Sequence, residues 1–386
     1  MLNINQFDTT EDLPKFYLPV LNLKMGNLNT GPVEIPVSYG SNWEVIFHLG
    51  EFASYLDAVK DFFSEIYTAS ISLETLNSPV ELMISKRKLS SEKDRVVIEA
   101  RARTEPILLA HSTSGIGFKA VLISAPTFLQ KPITLRDAHS NEFEITPPTS
   151  KDCTTCIVSS SQNVVSENLL GNLQSFLTFL TFVKGSHSGF GNLTASSENG
   201  EAAIELIGFT KNDSDKRQTN WFDVEVQNHL PEVFFAFSSS MTDAAAKHAL
   251  RQSINFYRAS NASRGVSLEM SIIAAHTALE AIVNFILESK AGWTKNKSLE
   301  KIPFSDKLRA ATAFYGLQGD PLEHSPNLLK LSSSRQNQDA FELISFFRNK
   351  LVHQDPKLIP SGTQLLEIWL VAQWLVEILV FGVIGH

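Results

Sequence analysis

The chain has 386 residues, 43% of them hydrophobic, so it is long enough for two domains with buried cores. Its formal net charge of −8 excludes a generally basic nucleic-acid coat protein. The charge is uneven, because residues 1–239 hold 18 Lys and Arg against 28 Asp and Glu, whereas residues 240–386 hold 15 against 13. An acidic first part and a near-neutral second part indicate different roles.

The two cysteines, Cys153 and Cys156, form a lone C-x-x-C pair. A structural zinc site needs four ligands and no second pair exists, so we predict two small residues on or near a strand. Low cysteine use is typical of a reducing cytosol, and the first residues lack the basic and apolar regions of a signal peptide. We therefore expect a cytoplasmic protein.

Residues 1–160 are predicted to form mostly β-strands, because short β-branched and aromatic runs alternate with turn residues. The clearest strands are Val33–Val37, Trp43–Phe47, Glu81–Ile84, Arg95–Ile98 and Phe118–Ile123. One helix is predicted over residues 56–66, where apolar residues recur at helical spacing.

The next segment mixes the two patterns. A helix is predicted from Ser166 to about Leu180, then a flexible Gly/Ser-rich loop over residues 184–200. Two further strands are predicted at Ala202–Gly208 and Trp221–Val226.

Helical periodicity dominates from about Met241 onwards. We predict helices near residues 242–260, 267–290, 305–315, 338–353 and 363–384, with a loop over 317–335. The fold class is therefore α+β: a β-rich domain over residues 1–238 followed by an all-α helical bundle over residues 239–386. Leu365–Ile384 is long enough to span a membrane, but its Glu367 and Glu377 would be costly in lipid, so we predict a core helix and no membrane partner.

The segment Arg348-Asn349-Lys350-Leu351-Val352-His353 ends the helix predicted over residues 338–353. Asn349 and His353 lie about 40° apart on an ideal helix, whereas Arg348 and His353 lie about 140° apart. A guanidinium that binds phosphate beside an imidazole that moves protons suits cleavage of RNA without a metal. The alternative is a helix whose His bonds its last carbonyls, with Arg on the surface.

This segment resembles the R-x4-6-H motif of the HEPN superfamily, in which an amide after the Arg is frequent. The helix Met270–Val283, with its Ala-Leu-Glu, is similar to the long second helix of these domains. The layout of a β-rich domain before an all-α domain resembles the Apea-like HEPN group, which is linked with anti-phage abortive infection.

The resemblance implies metal-independent RNA cleavage by a toxin of antiviral defence, at a cleft between two HEPN protomers of a homodimer. Arg348 would bind phosphate, Asn349 would orient it, and His353 would be the acid/base. Glu280 is the candidate acidic residue that positions Arg348, or else it lies on a solvated face of its helix. No metal and no cofactor are expected.

A second candidate RNA-binding segment interleaves cations with an aromatic residue: Lys290, Trp293, Lys295 and Lys297, with Lys350 of the motif as a further contact. The alternative is a solvated loop in which Lys290 caps a helix. For the acidic first domain we expect a regulator or a sensor of a phage-derived trigger. The rival function for the whole chain is a non-catalytic HEPN scaffold that binds RNA, a nucleotide or a protein.

Overall fold

The computed structural model describes residues 16–39, 43–52, 68–76, 78–90, 95–103, 106–123, 129, 131–147, 155–213, 220–293, 301–317, 321–353 and 360–386. The helix predicted over residues 56–66 lies outside the described residues, as does Cys153. Cys156 is buried in a strand, as predicted.

The described strands have 2 to 11 residues and mostly alternate between buried and more exposed positions. They are β1 (Phe16–Val20), β2 (Asn22–Met25), β3 (Leu28–Asn29), β4 (Val33–Tyr39), β5 (Val45–His48), β6 (Thr68–Ser72), β7 (Val80–Ser90), β8 (Arg95–Ala102), β9 (Ile107–Ala110), β10 (Ser114–Ile123), β11 (Ile133–Arg136), β12 (Glu142–Thr146), β13 (Thr155–Val165), β14 (Phe190–Ser196) and β15 (Ala202–Phe209).

These strands form two sheets. One has the order β1-β4-β5-β8-β7-β6-β2-β3, and the other has the order β11-β12-β13-β10-β14-β15-β9. In β4 the buried Ile35, Val37 and Tyr39 alternate with more exposed residues, because successive side chains of a strand point to opposite faces. Their buried face joins one hydrophobic core with Val121, Ile123 and Phe209 of the second sheet. Each large apolar side chain buried there contributes about 1.5–3 kcal/mol.

A close backbone approach holds β14 against β15. A Cβ on Gly191 would lie 2.0 Å from the Gly208 carbonyl oxygen, so only glycine fits. The next residue, Asn192, accepts a hydrogen bond from the buried Tyr39 hydroxyl, which links the two sheets. The prediction of a flexible loop over residues 184–200 is therefore wrong. Gly191 permits the pairing of β14 with β15, and Ser186 and Ser188 are buried.

The described helices follow the sheets in the chain for the most part. They are α1 (Leu169–Asn172), α2 (Gln174–Lys184), α3 (Leu230–Ser240), α4 (Ala244–Ser263), α5 (Leu268–Phe285), α6 (Phe304–Phe314), α7 (Pro326–Ser334), α8 (Ala340–His353) and α9 (Gly362–Ile384). A π-helical turn, Ile286–Lys290, extends α5, and 3₁₀ turns lie at Gly50–Phe52, Ser166–Asn168 and Val224–His229.

The chain divides into two compact units. The sheet unit is drawn from residues within 1–134, 141–172 and 188–215, and the helical unit from residues within 135–140, 173–187 and 216–386. The predicted α+β class, β-rich first and helical last, is confirmed. Ser238, at the predicted domain junction, is buried near the end of α3 in the helical unit.

In the helical unit, α5 packs against α4, α6, α8 and α9. The Ser260 hydroxyl of α4 is one polar junction between them. It accepts hydrogen bonds from Trp369 Nε1 at 2.8 Å and Gln373 Nε2 at 2.9 Å, and it donates to the Ser271 carbonyl at 2.7 Å. A buried polar group must find partners, so this junction sets how α4, α5 and α9 align.

Two of the described helical segments are long and apolar enough to cross a membrane by length and composition: Leu268–Lys290 and Gly362–Ile384, with mean hydropathies of 1.7 and 1.9. Of their most apolar stretches, 61% and 67% of the residues are buried inside the protein. Both segments thus supply core of the helical unit.

Two predicted elements of the helical unit are wrong. Residues 317–335 are not all loop, because α7 begins at Pro326 and Glu367 of α9 accepts hydrogen bonds from the Asn327 and Leu328 backbone amides. A proline is compatible with the first turn of a helix. The capping carboxylate, that of Glu367, lies 40 residues further along the chain than Asn327. The strand Trp221–Val226 is instead the start of a 3₁₀ turn, capped by Asp223, that leads into α3.

Candidate functional site

The site is built at the end of α8. This helix starts with a reciprocal cap, in which the Glu342 amide donates to Asp339 and the Asp339 amide donates to Glu342, at 2.9 and 3.1 Å. Its buried residues Leu343, Ile344 and Phe347 hold it against the core. The cap and the core contacts bring the last turns of the helix, with the Arg-Asn-Lys segment, to the surface of the unit.

Arg348 is partly buried and flanks the core. Its Nη1 donates a 3.2 Å hydrogen bond to Oδ1 of the exposed Asn349. Within the described part of the chain, Arg348 forms no ion pair within 4 Å. The guanidinium therefore keeps most of its donors available for an anion.

Glu280 lies on α5 and is within electrostatic reach of Arg348. The pKa of its carboxyl is lowered, first by the hydrogen bond with His276 and further by the nearby Arg348 and Lys307, while burial opposes these effects. The Glu280 side chain is 42% exposed, and its Oε1 lies 3.6 Å from Nδ1 of His276. A carboxylate thus lies within electrostatic reach of cations on α6 and α8, beside the ring of His276 on its own helix.

His276 is a neighbour that the sequence did not assign to the site. It is 3% exposed, and its ring packs 4.3 Å from the ring of Phe304. The spacing of His276 and Glu280, one helical turn apart, was the available signal. Lys307 was missed as well, because no sequence pattern connects α6 with α5.

His353 is the last residue of α8, as predicted for the end of the motif. Its side chain lies outside the described part of the structure. By helical spacing its position follows Asn349 by one turn and Phe346 by two.

Lys350 and Phe346 lie one turn apart on α8. The Lys350 ammonium is 5.7 Å from the Phe346 ring centroid, and the guanidinium carbon of Arg335 is 3.7 Å from the same centroid. Sequence spacing connects Lys350 with Phe346, but Arg335 comes from the end of α7 and was not predicted.

The described residues of the second candidate segment, Lys290 and Trp293, contact the end of their own helix. The Lys290 ammonium lies 5.8 Å from the ring of Phe285, and the Trp293 amide donates to the Leu287 carbonyl at 2.8 Å. None of the polar or ring contacts described for Lys290 and Trp293 involves α8. Lys295 and Lys297 lie outside the described residues.

Among the described residues, no group of three or more His, Cys, Asp or Glu side chains is placed to hold a metal ion. The groups that the site presents are the Arg348 guanidinium, the Glu280 carboxylate and the Asn349 amide, with a histidine at position 353.

The fold and the site define a two-unit protein whose helical part carries an Arg-Asn pair at a helix end, backed by a carboxylate. Residues 243–386 match one known family, the YopA C-terminal domain. This family is distinct from HEPN, and the match covers α4 to α9, the helices that build the site. No match was found among curated proteins or among solved structures.

Proposed function

We propose that the chain is a HEPN-type endoribonuclease that cleaves RNA without a metal ion. The observation that carries the proposal is the position of Arg348: at the end of α8, beside the exposed Asn349, and attracted by Glu280 of α5. A nuclease that uses side chains alone needs a fixed cation for the phosphate. Glu280 supplies the fixing charge.

In this proposal Arg348 donates hydrogen bonds to the non-bridging oxygens of the scissile phosphate. The planar guanidinium suits two phosphate oxygens at once, and it stabilises the negative charge that grows on them during attack. Glu280 attracts the guanidinium towards α5, and the Asn349 amide adds a neutral hydrogen-bonding group on the solvent side.

His353 is proposed as the acid/base. Its imidazole takes the proton of the ribose 2′-hydroxyl, the 2′-oxygen attacks phosphorus, and the bond from phosphorus to the 5′-oxygen breaks. A second imidazole protonates the leaving 5′-oxygen, which leaves a 2′,3′-cyclic phosphate and a 5′-hydroxyl. No water, metal or cofactor is consumed in this step.

A homodimer would supply the second imidazole. Arg348 and His353 are about 140° apart on a regular helix, and α8 continues as a helix to His353. One protomer therefore does not aim both groups at one phosphate without a change at the helix end. Two α8 ends that face each other would place two Arg-His sets around one RNA strand.

The biological setting belongs to the same proposal. We place the protein in the cytoplasm as an abortive-infection toxin, with the sheet unit as the regulator that holds the nuclease inactive or senses a phage-derived trigger. The net charge of −10 over residues 1–239 supports contact with protein over contact with RNA. Tight RNA binding by residues 1–239 would contradict their assignment as a regulator.

The proposal is tested by RNA cleavage in EDTA. Arg348→Ala and His353→Ala are expected to lower the cleavage rate by at least about 100-fold, the scale of one general acid/base or one charge-stabilising donor. Arg251→Ala, a change of another exposed arginine on α4, is the matched control and should cleave like wild type. Equal cleavage by all four proteins would rule out this site.

The runner-up is a non-catalytic scaffold that binds RNA, a nucleotide or a protein. One observation favours it: the attraction between Glu280 and Arg348 offsets part of the positive charge that a phosphate would meet. A scaffold would bind RNA without cleaving it, so binding without cyclic-phosphate products under every trigger tested would favour it.

A further inference from the structure

A cationic cluster at the turn between α7 and α8 belongs to no part of the proposed catalytic set. It consists of Arg335, Phe346 and Lys350, which we call the Phe346 cluster. Arg335 lies over the aromatic ring at 3.7 Å and Lys350 at 5.7 Å from its centroid. A cation over an aromatic face is attracted by the ring, so both positive groups are held at one surface point.

The backbone of the turn fixes Arg335. Gln336 and Asn337 both adopt left-handed conformations, with φ of +59° and +58°. The amides of Arg335 and Asn337 both donate to the Ser332 carbonyl at 2.9 Å, and the Ser332 hydroxyl donates to the Gln338 carbonyl at 2.6 Å. Residues other than glycine seldom adopt the left-handed backbone conformation, and these hydrogen bonds stabilise it here.

This turn brings Gln338 to Arg335, whose Nε donates to Oε1 of Gln338 at 2.6 Å. Within the described part of the chain, the two Nη groups of Arg335 donate to no partner, and no carboxylate pairs with it. Arg309 of α6 differs, because its guanidinium is held by Asp339 and Asp306. The Phe346 cluster thus has a guanidinium with its orientation fixed and its terminal donors unused.

The cluster lies on the same side of α8 as position 353. Phe346 and position 353 are seven residues apart, which is about 20° around the helix and about 10 Å along it. Arg348 lies on the far side from Phe346. A distance of 10 Å is roughly three stacked nucleotides of one strand at about 3.4 Å each.

We propose that the Phe346 cluster is a phosphate-binding subsite that holds a single RNA strand a few nucleotides from the scissile bond. The inference rests on the proposed ribonuclease function for its substrate class. Arg335 donates through both Nη groups to one phosphate, Lys350 adds a point charge beside it, and Phe346 keeps the two cations together. Because the contacts are to phosphate, the subsite is indifferent to base sequence.

The test measures affinity of the full chain for a labelled oligouridine with 2′-O-methyl riboses, which cannot be cleaved by attack of the 2′-oxygen. Arg335→Ala and Lys350→Ala are expected to weaken binding about tenfold each at low salt. Each lost phosphate contact should lower the slope of log affinity against log salt by about 0.7. Arg251→Ala removes an equal charge from α4 and should change neither quantity.

Arg335→Lys is the second variant, since it retains the charge and the contact with Phe346 but loses the fork of donors and the bond to Gln338. It should bind about threefold more weakly than wild type. Wild-type affinity and salt slope in folded Arg335→Ala, or in Arg335→Lys if the alanine variant does not fold, would overturn the subsite. A chain that binds this RNA through Arg335 but never cleaves natural RNA would overturn the ribonuclease and keep the subsite.

Discussion

The Tyr257 hydroxyl donates a 2.5 Å hydrogen bond to Oε1 of Glu377 inside the helical unit. The two residues are 120 positions apart and come from α4 and α9. Burial raises the pKa of the Glu377 carboxyl to about 7, and the hydrogen bond from Tyr257 opposes this rise. Burial and the nearby carboxyl also raise the pKa of the Tyr257 hydroxyl. We therefore expect the stability of the helical unit to depend on pH near neutrality.

Glu377→Gln should stabilise the protein at pH 8. The carboxyl has an ordinary pKa of 4.5, so between pH 4.5 and about 7 the folded chain binds more protons than the unfolded chain. The free energy of unfolding consequently falls as pH rises through this window and levels off above it. Glutamine carries no charge at either pH. The free energy of unfolding of the variant should therefore exceed that of wild type by up to roughly 3 kcal/mol at pH 8, and the two values should be nearly equal at pH 5.

Urea unfolding at pH 5, 6.5 and 8 measures this difference. Glu323→Gln, a change of an exposed glutamate, is the control and should show no pH-dependent gain. An equal effect of Glu377→Gln at pH 5 and pH 8 would show that burial does not perturb this carboxyl.

Tyr257→Phe should destabilise the protein by about 1–3 kcal/mol, because the Glu377 carboxyl loses its described donor in a buried place. Tyr315→Phe is the matched change, since the hydroxyl of Tyr315 has no hydrogen bond in the described part of the chain, and its effect should stay below about 0.5 kcal/mol. Unfolding by urea at pH 8 compares the two variants. Equal losses from both would mean that the Tyr257 bond contributes nothing.

Gly382→Ala should lower the melting temperature although alanine is the better helix former. A Cβ at this position of α9 would lie 2.7 Å from Cδ2 of Tyr315, so the ring or the helix must move. Overpacking of this kind costs about 1–3 kcal/mol, against roughly 1 kcal/mol gained in helix propensity. The control is Gly362→Ala at the start of α9, where a Cβ meets nothing within 4 Å and the change should be neutral or stabilising. A higher melting temperature in both variants would contradict the packing of Tyr315 on α9.

Glu280→Gln should lower the rate of RNA cleavage about tenfold while it changes stability by less than about 1 kcal/mol, since the side chain is partly exposed. The physical reason is the loss of the charge that attracts the Arg348 guanidinium. The control is Glu269→Gln, which replaces an exposed glutamate on the same helix. A loss of stability without a loss of rate would assign Glu280 to structure alone.

The sequence predicted the helices of the site because their signals are local. The apolar periodicity of α5, α8 and α9 extends over several turns and placed each helix to within a few residues. The position of Arg348 to His353 at a helix end followed from the same pattern and from the residues after it. Burial in the core did not need to be known for these predictions.

The features of the fold that the sequence did not predict depend on contacts between residues that are far apart in the chain. The carboxylate of Glu367 caps α7 across 40 residues, and the buried Tyr39 hydroxyl reaches Asn192 across 153. Residues 190–196 can pair with β15 because Gly191 has no Cβ, which would otherwise lie 2.0 Å from the Gly208 carbonyl oxygen. Local patterns carry no information on such contacts, so two loops and a strand are predicted wrongly.

By itself the sequence determined the α+β class, the order of its parts and the helix that carries Arg348, since these follow from hydrophobic periodicity along the chain. Tertiary structure alone decided that Glu280 lies within electrostatic reach of Arg348, that Arg335 stacks on Phe346 and that Glu377 is buried with Tyr257. Each of these depends on the distance and the dielectric environment between groups on different helices, and packing sets both.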